Sequence, residues 1–129
     1  MSDSPIKKVN MIILMQPDLQ QALSFYEKLG LHKQFELENR WIEFVIGEVK
    51  LGLCATAQPP TERRTGIVLE VEDLPSLYEQ LKDSIEFSQA PVESAHGIMA
   101  TIKDPGGNYI DLYQPTPEKF KDALSKVEK

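Results

Sequence analysis

Apolar residues recur along this chain in a pattern that runs once and then restarts. Val9, Met11, Ile12, Ile13 and Leu14 form a β-rich run that predicts a first strand over residues 8–15. Pro17 and Asp18 end it, and Asp18 suits a helix N-cap because its carboxylate accepts orphan backbone N–H groups. Leu19, Ala22, Leu23 and Tyr26 then share one helical face, and Gly30 falls just past the helix end. Three strands follow over about residues 31–37, 41–46 and 50–55, with Glu38-Asn39 and Gly47-Glu48 as the turns between them. Residues 57–64 contain Pro59-Pro60 without apolar periodicity and read as a linker.

Beyond the linker the order repeats. Residues 66–71 predict a strand, Asp73 a second N-cap, and Leu74, Leu77, Tyr78 and Leu81 a second apolar helix face. In both helices the apolar residues fall at the same offsets from the capping Asp. Strands over about residues 85–92, 98–103 and 109–114 complete the second half, with Asp104-Pro105-Gly106-Gly107-Asn108 as the hairpin turn before the last. Leu51-Gly52-Leu53 and Ile110-Asp111-Leu112 occupy matching places near the two ends. This is an internal repeat. Thr116-Pro117 starts a last helix over about residues 117–128, with Phe120, Ala123, Leu124 and Val127 on one face that covers the domain or a dimer partner.

Alternation assigns the strand faces. Ile42, Phe44 and Ile46 belong under the helix, and Trp41, Glu43 and Val45 on the opposite side; Ile67, Leu69 and Val71 separate from Gly66, Val68 and Glu70 in the same way. The expected fold is therefore α+β: two tandem βαβββ modules forming a curled mixed sheet around a cleft, helices on the outer face, plus the C-terminal helix. Module one covers about residues 8–56 and module two about 65–115. Polar groups on the uncovered faces are where recognition or chemistry belongs.

Charge and cysteine usage narrow the function classes. With 14 basic and 20 acidic side chains the net charge is −6, which excludes a nucleic-acid partner because phosphate binding needs clustered positive charge. No apolar run is long enough to span a membrane, and the first residues lack the apolar stretch of a secretory signal, so no membrane partner and a cytoplasmic location are expected. The single cysteine, Cys54, permits no internal disulfide and no multi-cysteine zinc site.

Asp18-Leu19 with Phe25-Tyr26 and Leu29-Gly30-Leu31 resembles the opening of a vicinal oxygen chelate module, the superfamily of glyoxalases, bleomycin-resistance proteins and extradiol dioxygenases. His96-Gly97 followed by the run from Lys103 through Asp104-Pro105-Gly106-Gly107-Asn108 to Ile110-Asp111-Leu112 resembles its most diagnostic segment. The resemblance implies a ligand cleft and, in metal-dependent members, a divalent ion held by His, Glu or Gln from the first and last strands of each module. Those positions fall here on Met11, or Asn10 one residue earlier, on Gly52, on Gly66, or Thr65 one residue earlier, and on Asp111. Asp111 alone is a ligand type, since a thioether or a missing side chain does not hold a hard cation. No metal and no other cofactor is expected.

Met11 and Gly52 then leave room for a molecule where ligands would sit. The candidate ligand-binding residues are Met11, Trp41, Glu43, Gly52, Gly66, Glu70, His96, Met99, Asp111 and Tyr113. Trp41, Met99 and Tyr113 suit apolar pocket walls, with ordinary packing or a subunit interface as the plainer reading, and His96 suits a stacking or hydrogen-bonding role, with a loop histidine as the plainer reading. Catalytic residues are unknown, with Asp111, Glu70 and Glu43 as candidates: if they converge, like-charge repulsion raises a pKa and creates a general base. The expectation is a metal-independent protein that sequesters a drug-like or metabolite ligand, acting as a homodimer that permits exchange of modules between subunits. The alternative is a metal-dependent lyase, isomerase or dioxygenase with a non-standard ligand set.

Overall fold

The same chain path is traced twice. A computed structural model describes residues 4–116; the expected C-terminal helix over 117–128 lies outside the described residues. The chain divides into two units, Met1–Pro60 and Thr61–Lys129. The first contains β1 (Met11–Gln16), α1 (Leu19–Lys28), β2 (Phe35–Leu37), β3 (Trp41–Ile46) and β4 (Val49–Ala55). The second contains β5 (Arg63–Glu70), α2 (Leu74–Leu81), β6 (Glu86–Glu93), β7 (Gly97–Lys103) and β8 (Asn108–Pro115). Their sheets have equivalent strand orders, β1-β4-β3-β2 and β5-β8-β7-β6. In each the first strand lies parallel to the last, and the remaining pairs are antiparallel. The fold is thus α+β, built from two tandem βαβββ modules.

Local chemistry sets the element ends. The carboxylates of Asp18 and Asp73 accept the backbone N–H groups of Gln21 and Ser76 at 3.0 and 3.1 Å, capping α1 and α2 as expected. Past α1, Gly30 adopts φ +95°, and the Gly30 and Leu31 N–H groups bond to the carbonyls of Glu27 and Tyr26. This pairing satisfies carbonyls that the helix leaves free and needs a residue without Cβ strain at Gly30.

Burial follows the alternation. Ile42, Phe44 and Leu53 are fully buried beneath α1, where the Tyr26 ring lies 5.9 Å from that of Phe44. Ala100, Ile102, Ile110 and Leu112 are buried with Leu74 in module two. Along β5, Ile67 and Leu69 are half-buried and Gly66, Val68 and Glu70 exposed, as the pattern predicts.

Four local expectations are corrected. The first strand runs over Met11–Gln16 rather than 8–15, because pairing with β4 begins only at Met11. The second strand is confined to Phe35–Leu37, since residues 31–33 follow the helix cap and contact with β3 begins at the Gln34 N–H, which donates to the Glu43 carbonyl at 2.8 Å. The fifth strand starts at Arg63, ahead of the expected 66, because the register with β8 shifts between Arg64 and Val68 and the strand continues across the irregularity. Gly66 at φ +74° lies within that bulge, and Thr65 donates its hydroxyl to the Tyr109 carbonyl at 2.6 Å beside it. On α1, Phe25 is buried while Leu23 is only half-buried: the helix is turned so that the larger ring enters the core, where it meets Tyr26 edge-on at 4.9 Å.

The β7–β8 turn is held by a buried carboxylate. Asp104 Oδ1 accepts from the Gly106 N–H at 3.0 Å, the Asn108 N–H at 2.9 Å and Asn108 Nδ2 at 3.1 Å. Asp104 and Asn108 are 3% and 1% exposed, so their polar atoms depend on these bonds. Asp104→Ala leaves buried donors without this acceptor and is expected to lower stability by about 1–3 kcal/mol. An unchanged urea midpoint would contradict this assignment.

Candidate functional site

The face of each sheet away from its helix collects the polar and aromatic residues that the sequence singled out. In module one, Gly52 lies at the centre of that face. Its register partners are Ile13 on β1 and Glu43 on β3, while Trp41 pairs with Cys54. The indole ring of Trp41 lies directly over Gly52: a Cβ built at Gly52 would come within 2.2 Å of the ring. The ring is fixed by its own N–H, which donates to Glu43 Oε1 at 3.1 Å. The expected room above Gly52 is therefore filled by Trp41, and glycine is needed there because no other residue lets the ring lie so close. Met11 sits at the start of β1, opposite Lys50 and one alternation from Ile13.

Module two repeats the device with other residues. Tyr113 pairs with Glu70 on β5 and with Met99 on β7, and its ring packs onto Gly97, where a Cβ would lie 2.7 Å from a ring carbon. The Tyr113 hydroxyl donates to the His96 carbonyl at 3.2 Å. With its one hydrogen used there, its oxygen accepts from His96 Nδ1–H at 2.9 Å. Beside this ring Asp111 pairs with Val68 and with Thr101, whose hydroxyl donates to Asp111 Oδ1 at 2.8 Å. Asp111 is half-buried and Thr101 is 9% exposed. Glu70 lies on the same face as Asp111, one diagonal step along the β5–β8 pair.

The structure thus brings Trp41, Glu43 and Gly52 together in module one. In module two it brings Glu70, Met99, Asp111, Tyr113 and His96 together. Gly66 stands apart in the β5 bulge. Sequence reading missed Thr101 and the role of Gly97. A polar residue amid the apolar Ile98–Ile102 run was the available signal for Thr101, and the Tyr113 contact at Gly97 is a packing fact with no sequence signature.

The residues do not fit a divalent ion of the kind that metal-dependent vicinal oxygen chelate proteins hold. Of the four matching positions, Met11 offers a thioether, Gly52 is covered by the Trp41 ring and Gly66 has no side chain. Asp111 is the one carboxylate, and Thr101 already occupies one of its oxygens. No group of three or more His, Cys, Asp or Glu that could hold an ion occurs among the described residues.

A charged cluster borders the module-two face. Lys103 pairs with Glu62 at 3.0 Å and Glu86 at 3.8 Å, and Lys103 and Arg64 lie 5.6 and 4.8 Å from the centre of the Tyr109 ring. The hydrogen bond from Lys103 holds the Glu62 carboxyl below its ordinary value, and the same bond raises the Lys103 ammonium. Any stability from the pair is present at neutral pH. It is lost on acidification through the lowered Glu62 value and in base through the raised Lys103 value. Two surface cavities, of about 580 Å³ beside α2 and about 410 Å³ at the start of α1, are lined by none of the expected site residues.

Comparison with known proteins places this geometry in context. Residues 8–112 match the Glyoxalase/Bleomycin resistance protein/Dioxygenase superfamily. The structure of TnmS3, an antibiotic binding protein from Streptomyces sp. CB03234, is 25% identical, with 87% of this chain and 98% of that chain covered and a TM-score of 0.71. The bleomycin resistance determinant encoded on the transposon Tn5 is also 25% identical, with 84% and 98% covered and a TM-score of 0.66. An uncharacterised protein of Mycolicibacterium smegmatis is 24% identical over 116 residues, 89% of this chain and 97% of its own length.

Gly52→Ala tests the aromatic platform directly. The added methyl must displace Trp41, at a cost of about 1–3 kcal/mol. Because Trp41 is the chain's single tryptophan, its emission maximum is expected to shift in the still-folded variant. Unchanged emission and stability would show that the ring does not lie on Gly52.

Proposed function

Given that this chain belongs to the glyoxalase/bleomycin resistance protein/dioxygenase superfamily, we propose that it is a metal-independent binding protein that sequesters a small, flat, drug-like or metabolite molecule on the sheet faces turned away from α1 and α2. The observation that carries this reading is the pair of aromatic rings seated on glycines, each fixed by a hydrogen bond and each with a carboxylate nearby. Trp41 has Glu43, and Tyr113 has Asp111 and Glu70. Aromatic faces with neighbouring carboxylates favour planar, cationic or amphipathic ligands, through stacking, cation–π attraction and charge. The net charge of −6 acts in the same sense, although salt screens such fields within about 8–10 Å. The antibiotic binding protein and the bleomycin resistance determinant among the similar structures support this class of ligand.

The protein acts as a cytoplasmic homodimer in this reading. Ile13, Phe35, Leu37 and Val45 project from the face of module one turned away from α1, with between 45% and 53% of their surface exposed among the described residues. An apolar face of this kind suits cover by a partner, and sedimentation of the full chain as a monomer at micromolar concentration would remove the dimer from the account.

A metal-dependent lyase, isomerase or dioxygenase is the competing reading, and one titration series separates the two. Trp41 fluorescence is to be followed while bleomycin and a panel of planar organic cations are added to the full chain, with manganese, iron, nickel and zinc titrated in parallel. Saturable quenching by at least one organic probe is expected, weakened about tenfold or more by Trp41→Ala in a calorimetric repeat and by Asp111→Asn in either format, a change equivalent to about 1.4 kcal/mol. Stoichiometric metal uptake with no response to any organic probe would overturn the proposal.

A further inference from the structure

The face of module two turned away from α2 carries charges in an order that the binding reading leaves unused. Tyr109, Asp111 and Tyr113 alternate along β8 with the buried Ile110 and Leu112, so the three share this face. Glu70 is in register with Tyr113, and Arg64 and Lys103 are in register with Tyr109 from either side. Cations thus flank one end of the strip, and carboxylates stand at its middle and its other end.

The bulge in β5 creates the cationic end. Residues 65–67 separate Arg64 from Val68, whereas Ile110 alone separates their partners, Tyr109 and Asp111. An unbroken register would set Gly66 opposite Tyr109. Gly66 at φ +74° turns the strand aside, and Arg64 takes that place. The guanidinium carbon lies 4.8 Å from the centre of the Tyr109 ring. Lys103 is engaged by Glu62 and Glu86, but among the described residues no carboxylate lies within 4.0 Å of Arg64. Lys103 comes first among the groups that hold the Glu62 carboxyl below its ordinary value, the Tyr109 hydroxyl second and Arg64 last. An arginine whose flat face rests on a ring keeps its N–H edge for a planar oxyanion, which it meets with two parallel bonds.

We infer that Arg64 is an anion-binding group of the module-two face, and that the ligand is a zwitterion: a flat organic cation at Asp111 that bears a carboxylate near Arg64. This rests on the binding reading above and narrows its ligand class. Tyr109 and Asp111 are two residues apart, about 7 Å along a strand, which sets the scale of the separation between the two charges. The Thr101 hydroxyl takes one oxygen of Asp111 and leaves the other for the cation. Glu62 and Glu86 stand nearby, so a singly charged carboxylate suits Arg64 better than a phosphate dianion. The net charge of −6 attracts any cation but gives a neutral zwitterion no advantage, so a preference for the zwitterion must come from a local cation.

Calorimetric titration of the full chain with two dyes tests the inference. Both carry the same flat diaminoxanthene cation; one has a free benzoate and the other its methyl ester. The free acid is expected to bind about fivefold more tightly than the ester. Arg64→Gln should bring the two affinities within about twofold, and Arg64→Lys should retain part of the preference, as a charge without the fork. Equal binding of the two dyes to the unaltered chain, or a preference that survives Arg64→Gln, would overturn the inference and leave the binding reading standing. If neither dye binds while Trp41 responds to other organic cations, the zwitterion is likewise wrong. If no organic probe binds at all, the binding reading itself fails and this inference with it.

Discussion

Among the described residues each four-stranded sheet has one helix to cover it, so alternate residues on every strand face opposite environments. One set must be apolar and closely packed, because it forms a small core: Ile42, Phe44 and Leu53 in one module, and Ala100, Ile102, Ile110 and Leu112 in the other. The other set is released from that demand and can carry function. Trp41, Glu43 and Gly52 belong to this second set, as do Met99, Asp111 and Tyr113. The helix caps at Asp18 and Asp73 and the buried Asp104 turn matter to the site because they keep the strands in the register that assigns those faces.

The two sheet faces turned away from α1 and α2 use one device with different residues. A large ring packs against a glycine on a neighbouring strand and is held by polar contacts. In module one the ring is an indole and its contact a carboxylate; in module two it is a phenol tied to the His96 backbone and ring. At the positions that the resemblance implies for ion ligands, this chain has a thioether, two glycines and Asp111. Filling the space over Gly52 with Trp41 produces a surface suited to stacking instead.

The fold was legible because its signals are local and repeated. Capping aspartates, the glycine after the first helix and period-two strands determine most element positions within a few residues. Boundaries failed where pairing partners decide them: β1 begins where β4 can meet it, and β5 reaches back to Arg63 through a bulge at Gly66. Site composition was partly legible, since alternation alone placed Trp41 with Glu43 and Asp111 opposite Ile110 and Leu112. The Trp41–Gly52 and Tyr113–Gly97 contacts were not, because a ring's seat depends on which residue a neighbouring strand presents. Gly52 therefore read as empty space when it is the bed of an indole. Phe25 taught the same lesson on α1, where core volume, not offset from the cap, chose the buried side chain.

The central proposal is that these faces present seated aromatic rings and hold no resident ion. A crystal structure of the full chain, purified without chelator and measured across the manganese, iron, nickel and zinc absorption edges, tests it most directly. The account predicts no anomalous peak at Asp111, with Trp41 lying on Gly52 and Tyr113 on Gly97. A fully coordinated ion at Asp111, with the rings turned away from their glycines, would contradict it.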